Sequence, residues 1–361
     1  MKVLFIGAAT SNHTLRWVNA LANNGHEVLL LTRGDQRANN QFSDKIKIVH
    51  LKHGGGLGYY LNVRQTKKIF KEFKPDIVNA HYLTGYGTMA RLARLHPLVL
   101  SAWGSDVFSF PNSGFLNKRL LAKNVFYADA IASTSYAMAD ELKKVLPNYK
   151  KEITVTPFGI DVNKFKPIDV EKNNDEIVIG LVKYLHPIYN IDLLINAFSI
   201  LKKKYTNVKL HIYGDGPLRS EFEELCSSLG ITDSVKFFGT IPNDQVPMAI
   251  NGMDIFVNCS RQESFGVAVL EAMACEKPVV VTDTPGYKEI VTNEVDGIML
   301  ADREPETMAK ALERLVNDAS LRNEMGKKGR AKVLEKYSWS DNVSIMEELY
   351  KKTASNYGGK K

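Results

Sequence analysis

The chain has 361 residues, a length that suits about two domains at roughly 150 residues each. Its composition, 44% hydrophobic and 24% charged with 25 Gly and 13 Pro, excludes collagen-like, disordered and disulfide-scaffold proteins. The net charge of +7 is uneven: residues 1–170 hold 23 basic and 12 acidic residues, and the rest hold 24 and 28. This asymmetry predicts a different partner for each half, with ordinary solvated lysines as the alternative.

The three cysteines, Cys226, Cys259 and Cys275, have neither metal-type nor CxxC spacing, which predicts reduced core thiols in a cytoplasmic protein. No stretch approaches the roughly 18–20 apolar residues that a membrane span requires. We therefore expect a cytoplasmic protein that attaches, at most, to the inner face of the cell membrane.

Short apolar runs alternate with longer periodic segments, the pattern of a parallel sheet with helical crossovers. In chain order, strands are predicted at 2–7, 27–32, 45–50, 76–81, 98–103, 130–134 and 152–156, and then at 177–182, 208–213, 235–239, 255–258, 279–282 and 297–300. Helices are predicted at 13–24, 62–74, 304–336 and 338–354, and a polar linker at 164–175. The domains are then 1–168 and 169–337, with the last helix, about 338–355, packed back on the first. Both are doubly wound α/β domains, which bind ligands at the carboxyl ends of their strands.

A dinucleotide enzyme is the obvious hypothesis for such domains, and the sequence argues against it. The first turn, 7–12, lacks the three-glycine fingerprint, and the second strand ends in Leu31-Thr32-Arg33 without an acidic residue for a ribose. The chain also contains no GxxxxGK[ST] motif.

The strongest local signal is ESFGVAVLEAMA at 263–274, where a polar loop after a strand runs into a helix near Gly266. Free N–H groups at such a helix start suit a diphosphate. Glu263 and Glu271 would lie about 12 Å apart along a helix. This is too far for paired glycosidase carboxylates, at roughly 5–5.5 or 6.5–9.5 Å. The spacing favours holding the two ends of a nucleotide-sugar, with a capping glutamate on an amphipathic helix as the alternative.

ESFGVAVLEAMACEKPVV resembles the E-x7-E motif of the family-4 retaining glycosyltransferases of the GT-B fold. The similarity covers nearly the whole chain. It includes FIGAATSNHTLRWVNALANNGHEV, SAWGSDVF, TPFGIDVNKF, YGDGPL, VKFFGTIP and PGYKEIV. The resemblance implies two Rossmann-like doubly wound domains facing across a cleft, with the nucleotide-sugar held by the second and the acceptor by the first.

The resemblance also implies site residues. Glu263 is similar to the glutamate that contacts the donor hexose, and Glu271 to the one that binds ribose hydroxyls. The donor-binding positions implied are Ser264, Phe265, Gly266, Val267, Glu271, Thr240, Ile241 and Gly7, and the catalytic positions are Glu263, Asp106 and Lys183. In this family the leaving diphosphate accepts the acceptor's proton, and no cofactor takes part. Where members carry a second basic residue on the diphosphate, this chain has Ile188; a protonated His186 would compensate.

The first domain offers acceptor-side candidates. Asp106 follows Gly104, which stands near the place of a common family histidine, and either contacts the reacting sugar or caps the next turn. His13 and His81 are candidates as acceptor contacts or as structural histidines. The remaining candidates, Arg64, Lys67, Lys68 and Lys71, share one face of helix 62–74, after a segment at 54–60 expected to be a mobile loop.

That basic face suits anionic lipid headgroups or a polyprenyl diphosphate, with an ordinary solvated face as the alternative. Nucleic acid is not expected as a partner, because no nucleic-acid-binding motif accompanies the charge. We expect a hexose or N-acetylhexosamine to pass from a UDP-sugar to a glycan or lipid-linked acceptor in surface polysaccharide assembly. The chain contains no Asp-x-Asp, so no metal is expected. The alternatives are a catalytically weak nucleotide-sugar-binding subunit and a GT-B epimerase.

Overall fold

The computed structural model describes residues 1–38, 41–171, 173 and 175–359. The chain divides into two compact units. The first unit comprises Met1–Pro157 together with Asp341–Lys361, and the second comprises Phe158–Ser340. The division after Pro157 precedes the boundary expected at residue 168. Ile160 bridges Ser338 within the second unit, which explains the earlier division.

The first unit is a seven-stranded parallel sheet in the order β3-β2-β1-β4-β5-β6-β7. Its strands are β1 Lys2–Ile6, β2 Glu27–Thr32, β3 Lys47–His50, β4 Ile77–His81, β5 Leu98–Ala102, β6 Ala130–Ser133 and β7 Ile153–Val155. Its helices are α1 Asn12–Asn23, α2 Gly55–Leu61, α3 Val63–Phe73, α4 Gly85–Leu92, α5 Ser105–Phe108, α6 Phe115–Tyr127 and α7 Tyr136–Val145. The central strands are buried over their whole length, as a sheet covered on both faces requires.

The second unit is a six-stranded parallel sheet in the order β10-β9-β8-β11-β12-β13. Its strands are β8 Ile177–Val182, β9 Val208–Tyr213, β10 Val235–Gly239, β11 Ile255–Asn258, β12 Val279–Thr282 and β13 Gly297–Leu300. Its helices are α8 Ile191–Lys202, α9 Arg219–Ser228, α10 Val246–Asn251, α11 Val267–Ala274, α12 Pro285–Ile290, α13 Pro305–Asn317 and α14 Ala319–Lys336. All six strand ranges agree with the sequence-based prediction.

The last helix, α15 Trp339–Gly358, lies for most of its length with the first unit. The hydroxyl of Tyr350, which is fully buried, donates to Asn79 Oδ1 at 2.9 Å beneath the centre of the sheet. Glu347 accepts from Asn24 at 2.8 Å. The helix is therefore part of the core of this unit.

Two predictions of local structure are wrong. Residues 54–60, expected as a mobile loop, contain α2, because Tyr59 packs edge-on against Tyr86 with ring centroids 5.0 Å apart. The helix expected over 304–336 is two helices, separated at Asp318, whose carboxylate caps α14 by accepting the N–H of Leu321 at 2.8 Å. The predicted linker, 164–175, lies partly outside the described residues.

No helix in the described part of the chain is both long and apolar enough to cross a bilayer. The three cysteines are free and buried, and burial raises the pKa of the Cys226 thiol to about 11 and those of Cys259 and Cys275 to about 12. Such thiols stay protonated and unreactive at neutral pH.

Candidate functional site

Lys183 and Glu263 meet at the centre of the second sheet. Lys183 directly follows β8, and Glu263 lies in the loop after β11, the neighbouring strand. The strand order reverses between these two strands, and such a reversal opens a crevice in which α/β sheets bind ligands. The Lys183 ammonium is 2.8 Å from Glu263 Oε2, and the two side chains keep 16% and 15% of their surface exposed. A partly exposed ion pair at this position presents both charges to a ligand.

The lysine is held from two sides. Its ammonium lies 4.4 Å from the centre of the Tyr189 ring, a cation–π contact. Its backbone carbonyl lies against Gly214, where a Cβ atom would overlap the oxygen and where φ is +132°. The glycine of the YGDGPL motif therefore lets this turn approach Lys183 closely.

Three hydrogen bonds fix the Glu263 segment. The N–H of Ser264 donates to Glu263 Oε1 at 3.2 Å, and the Tyr287 hydroxyl donates to Oε2 at 3.4 Å. The N–H of Gly286 donates to the Glu263 carbonyl at 3.1 Å. Tyr287 is fully buried, and burial raises its pKa well above the usual value, so its hydroxyl remains a donor. The carboxylate is thereby oriented before any ligand binds.

The segment after Glu263 leads into α11 with a left-handed turn. Gly266 has φ of +106°, and a Cβ there would lie 2.8 Å from the Tyr287 ring. No side chain caps α11 in the described part of the chain. Its first N–H groups, at Gly266 and Val267, are thus placed to bind an anion at the positive end of the helix dipole.

The structure separates backbone from side-chain roles among the predicted donor residues. The Phe265 side chain is buried, with ring centroids 6.3 Å from Phe158 and 5.9 Å from Tyr337, so it anchors the loop and leaves only its backbone for a ligand. Glu271 is half-buried in the second turn of α11. Thr240 is exposed directly after β10, and Ile241 lines a cavity of about 690 Å³ with His211 and Phe238.

Ile188 is half-buried, and its carbonyl accepts the N–H of Arg261 at 2.8 Å. The N–H of Ile188 donates to His186 Nδ1 at 3.4 Å. The Arg261 guanidinium, 60% exposed, lies 3.9 Å from Asp192. The backbone of Arg261 thus lies beside Ile188, while its charge lies beside Asp192.

In the first unit, the Asp106 carboxylate holds the turn after β5. It accepts N–H groups from Leu83 at 2.9 Å, Trp103 at 3.1 Å and Gly104 at 2.9 Å, and it is 1% exposed. Burial raises its pKa, while the N–H donors oppose that shift. Asp106 thus caps the turn that contains Gly104, and its contact with a reacting sugar stays a prediction.

Two histidines lie at the carboxyl edge of the first sheet, where its strand order reverses between β1 and β4. His81 ends β4, is 1% exposed and lies between the rings of Phe5 and Trp103, with centroids 4.2 and 4.1 Å away. Neither of its ring nitrogens has a hydrogen-bond partner among the described residues. Burial lowers its pKa well below the usual value and lowers that of His13, 5.3 Å from Trp103, to about 4. Both rings are neutral at pH 7.

The remaining first-unit candidates have simple placements. Gly7 is buried directly after β1, and its N–H donates to Leu31. Four basic side chains project from the exposed face of α3: Arg64, Lys67, Lys68 and Lys71. The opposite face, Ile69, Phe70 and Phe73, packs against the core of the unit.

Two family models match the chain. That of the group 1 glycosyl transferases matches residues 162–332, and that of the glycosyl transferase 4-like proteins matches residues 2–135. An uncharacterized glycosyltransferase of Methanocaldococcus jannaschii is 34% identical over 178 residues, 49% of this chain. The match spans 45% of that relative's length. The capsular polysaccharide biosynthesis glycosyltransferase CapM of Staphylococcus aureus is 28% identical over 78% of each chain.

Solved structures share the architecture at low identity. A sucrose-phosphate synthase from Thermosynechococcus elongatus superposes with a TM-score of 0.85 at 19% identity, covering 99% of this chain and 100% of that one. HepE of Anabaena, in complex with UDP and glucose, has a TM-score of 0.76 at 19% identity, covering 98% of this chain and 100% of that one.

The fold is therefore GT-B, with two parallel-sheet Rossmann-like units. The two models together match most of the chain, so the chain is a glycosyltransferase whose second half matches the group 1 model and whose first half matches the 4-like model, as the sequence resemblance predicted.

Proposed function

We propose that the protein is a retaining glycosyltransferase that moves a hexose or N-acetylhexosamine from a UDP-sugar to a glycan or lipid-linked acceptor in surface polysaccharide assembly. The observation that carries the proposal is the Lys183–Glu263 pair beside the uncapped start of α11. The Lys183 cation and the N-terminus of α11 suit a diphosphate, and the fixed carboxylate of Glu263 suits sugar hydroxyls. The complex of HepE with UDP and glucose supports the choice of donor.

The chemistry follows from charge. As the bond between the anomeric carbon and the diphosphate breaks, negative charge develops on the diphosphate, and Lys183 with the N–H groups of α11 stabilises it. The acceptor oxygen forms its bond on the same face of the sugar, and its proton passes to the departing diphosphate oxygen. Glu263 orients the hexose, and Glu271 holds the ribose hydroxyls. The catalysis is positioning and electrostatic stabilisation without a protein nucleophile.

Release of UDP from a panel of UDP-sugars tests this function, since slow donor hydrolysis needs no acceptor. We expect Glu263→Gln and Glu271→Gln each to lower the rate by about a hundredfold or more, because the donor loses a positioning contact. Glu335→Gln, which changes an exposed glutamate of α14, is the matched control and leaves the rate unchanged. Undiminished turnover in both site variants contradicts the proposal.

The second candidate is a binding subunit that supports a partner transferase, and Ile188 favours it because a diphosphate would meet one cation fewer. Purified protein that binds UDP but releases none from any UDP-sugar would establish this alternative. Ile188→Lys separates the two further. Restoring the cation raises the rate of UDP release by about tenfold if the wild type is a slow enzyme. If the wild type is a binding subunit that lacks further groups needed for transfer, Ile188→Lys creates no turnover.

A further inference from the structure

The first unit has a cavity that the donor chemistry does not use. It has a volume of about 410 Å³ and lies between α2 and the segment from Phe110 to α6. Its lining includes Tyr59, Tyr60, Tyr82, Phe110 and Leu120. Tyrosine rings that combine an apolar face with a hydroxyl suit the faces and hydroxyls of sugars.

Large apolar side chains project into solvent on both sides of this cavity. Leu57 and Leu61 on α2 are 73% and 58% exposed, and Phe115 and Leu116 on α6 are each 76% exposed. Leu57 and Leu61 share one face of their helix because positions four apart are neighbours, and Gly56 and Tyr60 beside them line the cavity. Leu116 likewise shares a face with the cavity residue Leu120. Isolated exposed apolar side chains are common, but a group of four beside one cavity is what an interaction surface presents.

Exposed basic residues lie on the same helices as these four side chains or on the next helix along the chain. Exposed cations follow α2 on α3, at Arg64, Lys67, Lys68 and Lys71, and others lie on α6 itself, at Lys118, Arg119 and Lys123. Within residues 55–74 and 110–127 the sequence contains eight basic residues and one acidic residue, Glu72.

Exposed apolar side chains within a basic surface fit the boundary between headgroups and acyl chains of an anionic bilayer. A protein partner fits less well, because protein interfaces are depleted in lysine.

We propose that Leu57, Leu61, Phe115 and Leu116, with the basic residues of α3 and α6, form a docking surface for an anionic bilayer. In the docked protein the tyrosine-lined cavity lies next to the membrane surface. The acceptor that it binds is therefore a sugar carried by a membrane lipid. The acceptor assignment rests on the proposed transferase function; the docking surface does not.

Co-sedimentation with lipid vesicles tests the docking surface. Vesicles of equal parts phosphatidylcholine and phosphatidylglycerol bind the wild-type protein, and vesicles of phosphatidylcholine alone bind it at least tenfold more weakly. Added salt weakens the binding. Replacing all four apolar residues by Gln lowers the partition coefficient at least tenfold. Met248→Gln with Leu334→Gln changes two exposed apolar residues of the second unit and leaves binding unchanged.

Charge is tested separately. Lys118→Gln with Arg119→Gln weakens binding by about thirtyfold, at roughly fivefold for each charge near the surface. The matched control, Lys327→Gln with Lys336→Gln, changes two exposed lysines of α14 and has no such effect. Thermal melting confirms that each variant is folded, which is expected since every substituted side chain lies at the surface.

The proposal is overturned if the protein does not bind vesicles or binds charged and uncharged vesicles equally well. It is also overturned if the variants of the docking surface bind as well as the control variants. The proposal is also overturned if the protein binds no vesicles but forms a concentration-dependent dimer that the apolar substitutions abolish. In that case the surface is occupied by a second copy of the chain.

The acceptor assignment has its own test. Vesicles carrying a polyprenyl-diphosphate-linked sugar stimulate UDP release, and the same sugar free in solution does not. Equal stimulation by both overturns the assignment. Vesicle binding without UDP release from any donor leaves the docking surface standing and removes the transferase function.

Discussion

Individual side chains at the edge of the first sheet make its stability depend on pH. His13 has its pKa lowered to about 4, chiefly by burial and also by Arg16, and burial lowers that of His81 well below its usual value. An unfolded histidine titrates near 6.5, so between about pH 4 and 6.5 the unfolded chain binds the extra protons. The free energy of unfolding therefore falls as pH is lowered through this window.

For His13 alone the loss is on the order of 2 kcal/mol between pH 7 and pH 5. Urea unfolding at these two pH values, followed by tryptophan fluorescence, measures it, because Trp17 and Trp103 both lie in the first unit. His13→Gln reduces the difference, and His50→Gln, which changes an exposed histidine of the same unit, does not. An equal pH dependence in wild type and His13→Gln contradicts the prediction.

In the second unit, the close approach of α12 to the loop after β11 fixes the backbone of the candidate site. Gly286, in the first turn of α12, lies against the Glu263 segment, where a Cβ would stand 2.6 Å from Phe265 N and 2.7 Å from Glu263 O. Gly286→Ala must therefore displace the backbone that orients Glu263. We expect a loss of about 1–3 kcal/mol of stability and about a hundredfold in UDP release.

Gly252→Ala is the control, since its nearest neighbour, Ala249 O, is 3.5 Å from the added Cβ. Melting temperature and the rate of UDP release are measured for both variants. A Gly286→Ala protein with wild-type activity would show that the position of the Glu263 segment does not matter.

The elements also show what the sequence alone predicts. The strands of the second unit are predictable because each is a short apolar run bounded by polar turns, a local signal. Helix α2 is not, because its glycines favour a loop and what stabilises it is distant: Tyr59 packs on Tyr86 and against Gly85, where any side chain would collide with the ring.

The same limit applies to the site. Motif order places Glu263 and Lys183, but nothing near either residue in sequence indicates that Tyr287 donates to the glutamate. The cation–π contact between Tyr189 and Lys183 follows from the path of the turn after β8, which the sequence pattern does not specify.

For the whole molecule, the division of charge agrees with the division of proposed tasks. The half with net negative charge holds Lys183 and the start of α11, so the proposed diphosphate site depends on local groups, and the basic half holds the proposed docking surface. With these local groups, and no Asp-x-Asp in the chain, we predict that neither UDP binding nor transfer requires a divalent metal.

Thermal melting with UDP, with and without a chelator, tests this prediction. A ligand at a hundred times its Kd stabilises the folded state by about 2.7 kcal/mol, so UDP raises the melting temperature of the unit that binds it. If Lys183 and the α11 N–H groups neutralise the diphosphate, EDTA leaves that increase intact, and it leaves the rate of UDP release unchanged. Lys183→Met reduces the increase, whereas Lys327→Met, on the exposed surface of α14, does not. Stabilisation or turnover that EDTA abolishes and added Mg²⁺ or Mn²⁺ restores would show that a metal ion supplies the charge assigned to Lys183.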